Sequence, residues 1–200
     1  MKRFCTCLLA VLVLTSCTPV EDFGPYWDKG FVDPALEGSW KKTGLPGQEI
    51  DGIPGADVLR FTKDDSSYRQ YDINPTNDTR LTAEEIEQRK ADNAQPISVR
   101  TLRIGKHQFL MRREPGGERK GCLVRYEIRR DTLDEYWIEN GIAIDFLLSK
   151  HPTAKNIRKN VAEGDYVVIG TFDDEVFRVL SEIADKPEYW ILECQYKKIK

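Results

Sequence analysis

The clearest pattern in the chain is the alternation over residues 122–129. Cys122, Val124, Tyr126 and Ile128 fall on one side, and Leu123, Arg125, Glu127 and Arg129 on the other. This is the period-two signature of a strand whose two faces meet different surroundings. Asp131-Thr132 then turns the chain into a further strand segment, 133–139. Upstream, 97–104 and 107–113 meet across Gly105-Lys106, a two-residue turn led by glycine. Segments 57–62 and 67–73 flank Lys63-Asp64-Asp65-Ser66 in the manner of another hairpin. Glu114-Pro115-Gly116-Gly117 interrupts the chain between two of these runs. Four strands over 97–139, linked by short turns, read as an antiparallel meander.

A period near 3.6 emerges in few places. Over 172–185, Phe172, Val176, Val179, Leu180 and Ile183 form one stripe. Thr171 is the expected N-cap, Asp173, Asp174 and Glu175 complement the helix dipole, and Pro187 ends the element. Residues 142–150 are apolar nearly all round and fit either a short buried helix or a strand, ended by His151-Pro152. Thr82 with Glu85 makes a capping box for a surface helix over 83–91. A final strand is expected to carry Trp190, Leu192, Cys194 and Tyr196 on one face.

The N-terminus has its own pattern. Lys2 and Arg3 precede an almost unbroken apolar run, Phe4 to Leu14, shorter than the roughly 20 apolar residues of a permanent span. It ends in Leu14-Thr15-Ser16-Cys17. This resembles the lipobox of bacterial lipoprotein signal peptides: an aliphatic residue, two small residues, then cysteine. The resemblance implies removal of residues 1–16 and lipidation of Cys17 as a thioether. It also implies membrane attachment through that lipid, in the bacterial cell envelope. Thr18 in place of aspartate implies sorting to the outer membrane, with the domain in the periplasm. Residues 17–33 carry proline, glycine and acids without clean periodicity and read as a tether. Residues 34–200 then form a single β-rich domain.

Near the start of that domain stands Leu36-Glu37-Gly38-Ser39-Trp40. Gly38-Ser39-Trp40 resembles the G-x-W signature on the first strand of lipocalins and related calycin barrels, where the tryptophan plugs one barrel end. Gly164-Asp165-Tyr166 is similar to the family's second motif, T-D-Y, with glycine in place of threonine. A helix followed by a last strand matches the family's C-terminal order. The family's arginine that packs on this tryptophan has no legible counterpart, and the helix at 83–91 is an addition. The expected fold is therefore mainly β (α+β). An antiparallel meander closes into a lipocalin-like barrel, with two or three short helices including one near the C-terminus.

Charge adds one feature. Loss of residues 1–16 leaves 184 residues and moves the net charge from -3 to -5. Within this acidic chain, residues 98–130 hold ten lysines and arginines against three acids. Arg100, Arg103, Lys106, Arg112, Arg113, Arg125 and Arg129 are candidates for an anion-binding face. The plainer alternative is a solvated outer surface whose arginines pair with acids from elsewhere. Nucleic acid is not an expected partner, because no stacking aromatics interleave the basic residues.

Catalytic chemistry is not legible. The two histidines, His107 and His151, stand apart, and no zinc spacing, nucleophile elbow or phosphate loop occurs. Asn74, Thr76, Asp78, Leu81, Thr82 and Glu85 fall at EF-hand positions, but Thr79 stands where glycine must make the sharp turn. No enzyme, cofactor or metal is expected. Cys122 and Cys194 are either a disulfide or two buried thiols. Two functions follow as expectations. One is a lipid-anchored binding module that holds an apolar or amphipathic small molecule. The other is a structural or interaction lipoprotein with a filled barrel, which docks an acidic envelope protein or anionic envelope surface through hairpins 98–130.

Overall fold

A computed structural model describes residues 18–43, 58–73, 96–115, 121–138, 142–160 and 166–199. Cys17 and its signal segment, the 83–91 helix, the 74–85 loop and Gly164-Asp165 lie outside the described residues. The strands are β1 (Thr18–Asp22), β2 (Gly38–Lys42), β3 (Val58–Asp64), β4 (Ser67–Ile73), β5 (Ile97–Ile104), β6 (His107–Arg113), β7 (Gly121–Arg129), β8 (Thr132–Ile138), β9 (Ile157–Asn160), β10 (Tyr166–Thr171) and β11 (Trp190–Ile199). The helices are α1 (Tyr26–Lys29), α2 (Ile142–Lys150) and α3 (Asp174–Ala184).

Eight strands, β2 through β8 and then β11, pair in sequence, and β11 returns to β2. Every neighbour in this ring is antiparallel. The result is a closed antiparallel barrel, which removes the open edges that a flat sheet would carry. Alternation decides what enters it. Val124 and Tyr126 of β7 pack inward with Leu110 of β6, Phe61 of β3, Tyr68 of β4 and Tyr196 of β11. Trp40 joins them and is fully buried. Its Nε1 donates to the Leu36 carbonyl at 2.7 Å. Lys198, its register partner on the last strand, places Nζ 5.0 Å from the ring centroid. A lysine thus covers the tryptophan, where the lipocalin resemblance implies arginine.

The other parity builds a second core outside the barrel. Leu102 and Ile104 of β5, Phe109 and Met111 of β6 and Leu123 of β7 pack with Val176, Val179, Leu180 and Ile183 of α3. Strands β10 and β9 contribute Val167, Ile169 and Ile157, and α2 contributes Ala143 and Leu147. Residues 142–150 are thus a helix, resolving the two sequence readings. The N-cap of α3 is Asp173, not Thr171; its side chain accepts from the Val176 N–H at 2.9 Å.

Residues 18–33 are not a tether. β1 pairs parallel with β10 and antiparallel with β7. It enters where the wall forks: the first part of β7 pairs with β1, while Arg125–Arg129 pair with β8. Val20, Phe23 and Tyr26 are buried in the outer core. At the junction, a Cβ on Gly121 would lie 1.9 Å from the Arg112 carbonyl oxygen, so only glycine allows this approach. The folded unit therefore begins by Thr18, not at Pro34. Sequence periodicity missed this because β1 is five residues long and begins Thr-Pro.

Tyr26 ties this segment to α3. Its hydroxyl donates to Asp174 Oδ1 at 2.6 Å. Burial first, and then this bond, push the phenol up to about 12, while the same bond, helped by Lys29, holds the Asp174 carboxyl below its usual range. An unfolded tyrosine ionises near pH 10, so between about pH 10 and 12 the unfolded state loses a proton that the folded state keeps. Stability is thus expected to fall as pH rises through that window. Urea midpoints on either side of it, together with tyrosinate absorbance, check this: Tyr26→Phe removes one late-titrating phenol and part of the fall.

The last strand departs from its expected face. Glu193 is an extra residue between the Leu192↔Tyr136 and Cys194↔Glu135 pairs. This bulge resets the alternation. Trp190 packs on the outer core, edge-on to Phe109 at 5.5 Å, with Nε1 donating to the Ile183 carbonyl at 2.9 Å. Cys194 and Tyr196 pack inside the barrel.

Candidate functional site at the barrel mouth

The seven candidate cations do not share one face, because β5, β6 and β7 each send alternate residues inward and outward. Arg112 enters the barrel, where Nε donates to Gln70 Oε1 at 2.8 Å and the guanidinium forks onto Glu135. Burial opposes its charge, but Glu135 more than offsets this and holds the Arg112 pKa above its ordinary value. Arg100 and Arg113 lie against Trp27, Arg113 at 4.0 Å from the ring centroid. Arg100 also donates to the Trp27 carbonyl at 2.7 Å. Arg125 packs beside Tyr136 and Trp190 and donates to Glu127 at 2.8 Å. These four hold the fold together.

Arg103, Lys106 and Arg129 do converge. They border a cleft of about 600 Å³ at the end of the barrel where the β5–β6 turn meets the end of β7. Gly105, at φ +61°, makes that turn. Gln108, Tyr126 and Ile128 line the cleft from their inward-facing positions. Below them, the Tyr126 hydroxyl donates to Asp33 Oδ2 at 2.7 Å and lies 3.1 Å from Thr101 Oγ1. Asp33 also accepts from the Ala35 N–H at 3.0 Å, so one buried carboxylate fixes the lead-in to β2 and the cleft floor.

The rim charges differ in availability. Lys106 pairs with Asp185 at 3.1 Å, and its hydrogen bond holds that carboxyl below the usual range. His107 Nε2 lies 2.9 Å from the same Asp185 oxygen. Burial, reinforced by Arg125, lowers the His107 pKa against the pull of Asp185. Arg129 donates to Asp134 and lies 4.0 Å from Glu127. Arg103 is exposed and stacks over Phe31, with 5.8 Å to the ring centroid. Among the described residues it has no acidic partner.

Gln108, Tyr126, Ile128 and Phe31 were not singled out as site residues from sequence. The 122–129 alternation puts Tyr126 and Ile128 on one face, but nothing local in sequence aligns Gln108 or Phe31 with them. Cys122 and Cys194 are not joined in a disulfide and lie on the inner side of the barrel wall. Among the described residues, no group of three or more His, Cys, Asp or Glu side chains is placed to hold a metal ion. No described helix is long and apolar enough to cross a membrane. The chain matches no family model, no curated protein and no solved structure in the three comparisons made.

Proposed function

We propose that this protein is a non-catalytic envelope lipoprotein, lipidated at Cys17 and anchored to the outer membrane, whose barrel docks a protein partner from its outside. The supporting observation is the content of the barrel. Trp40, Phe61, Tyr68 and Tyr126 are each no more than 1% exposed, and Leu110 and Val124 are fully buried beside them. Side chains of this size fill a small eight-stranded barrel. A carrier for an apolar molecule needs that volume for its cargo. The Arg112–Glu135 pair inside the wall adds to this, since a lipid chain there would lie against charged groups. The cleft of about 600 Å³ favours a second reading, in which an amphipathic small molecule is held at the mouth alone.

The anchor has a geometric consequence in this proposal. Thr18, adjacent to Cys17 in sequence, is buried and paired with Leu123. The lipid would therefore be joined to the barrel wall with no spacer, and the domain would lie close against the membrane.

Mass spectrometry of the chain extracted from its envelope, compared with Cys17→Ser, tests the proposal. The expected result is a chain beginning at an acylated Cys17, in the membrane fraction, with a stoichiometric protein attached. Cys17→Ser should lose the lipid and leave the membrane. An unacylated wild-type chain overturns the anchor, and a stoichiometric lipid bound to both forms overturns the filled-barrel role.

A further inference from the structure

We propose that the mouth cleft is a strand-docking site for an extended acidic segment of a partner protein. The first observation concerns the wall itself. The β6–β7 ladder ends at Gln108↔Tyr126, while β7 continues to Arg129. Among the described residues, Glu127–Arg129 therefore pair with β8 alone. Arg129 and Thr132 flank a two-residue turn, so they exchange hydrogen bonds with each other. Alternation then aims the N–H and C=O of Ile128, the intervening residue, at the opposite side. Counting from the β5–β6 turn gives the same answer. Ile104 and His107 close that turn, so Gln108 bonds toward Tyr126, and Ile128 shares the parity of Tyr126. Ile128 borders the cleft, so a sheet edge opens into it.

Charge argues for the sequence of what docks. Arg103, Lys106, Arg129 and Glu127 line the cleft; Asp185 pairs with Lys106, Asp134 with Arg129, and Arg125 with Glu127. All three acids are engaged by those cations, whereas Arg103 is held only against Phe31. Phe31 is itself 36% exposed, an apolar surface beside an available guanidinium. An added strand supplies backbone groups for the β7 edge, a carboxylate for Arg103 and an apolar side chain for Phe31. An anionic lipid headgroup supplies the charge but not the backbone donors and acceptors that the edge requires.

This inference rests on the docking role proposed above, and its test separates the two. Amide spectra of the detergent-solubilised full chain are recorded during titration with end-blocked pentapeptides alternating Glu with Val or Phe. The peptides are expected to shift the Ile128 amide saturably and slow its hydrogen exchange, with binding that weakens as salt rises. Arg103→Gln, a change at an exposed residue that leaves the core intact, should weaken binding about tenfold, and Arg103→Lys should weaken it less. Equal shifts with glutarate alone would make this a small-anion site and overturn the proposal. So would equal shifts with dihexanoyl phosphatidylglycerol, or no Ile128 response to any peptide. Failure here with an undisturbed barrel interior leaves the docking role intact, whereas entry of an amphiphile into the barrel removes that role itself.

Discussion

A chain shortened to begin at Pro34 does not fold cooperatively. It loses Val20, Phe23 and Tyr26, each no more than 5% exposed in the outer core. Burial of a large apolar side chain contributes about 1.5–3 kcal/mol, so the three together account for roughly 5–9 kcal/mol. That is comparable to the whole stability of an ordinary domain, about 5–15 kcal/mol. The loss extends beyond side chains. β10 loses its parallel partner, and the first part of β7 loses one side of its ladder. The measurement is urea unfolding followed by circular dichroism, comparing chains that begin at Thr18 and at Pro34. The first retains a cooperative transition and the second has none. Equal midpoints would mean that residues 18–33 are dispensable after all.

The second large effect lies inside the barrel. Glu135→Leu leaves the Arg112 guanidinium enclosed without its carboxylate. Removing one partner of a buried pair costs about 3–5 kcal/mol, because the remaining charge keeps its desolvation penalty. Arg112→Met alone leaves Glu135, only 2% exposed, with the same problem. The double variant Arg112→Met with Glu135→Leu restores most of the loss, since two apolar side chains suit the enclosed space. A double-mutant cycle read by urea unfolding therefore shows strong non-additivity. Additive losses would mean that the two groups are solvated separately.

Much of this architecture was legible from residue parity. The alternation across 122–129 correctly separates Val124 and Tyr126, inside, from Leu123 and Arg125, outside. The stripe of α3 reads correctly because Val176, Val179, Leu180 and Ile183 all face one apolar surface. Three features escaped, each for a physical reason. The bulge at Glu193 inserts one residue and reverses parity within a single strand, which no fixed period registers. β1 owes its conformation to two partners distant in sequence, β7 and β10, rather than to its own five residues. The basic hairpins looked like one surface because composition ignores which side of a strand each arginine occupies. In the fold, Arg112 is enclosed with Glu135, Arg113 stacks on Trp27, and Arg103 alone is held against an exposed ring. The cleft is an outcome of register: β7 runs on past the start of β6, and sequence does not reveal how far along β7 that start lies.

The central claim is that the barrel interior belongs to its own side chains and that recognition occurs outside it. Methyl spectra of Leu110, Val124 and Leu133, all buried within the barrel, test this during titration with a long-chain fatty acid. The filled barrel predicts that these methyl signals stay fixed at every concentration. Saturable shifts of the three methyls together would place the ligand among them and contradict the account.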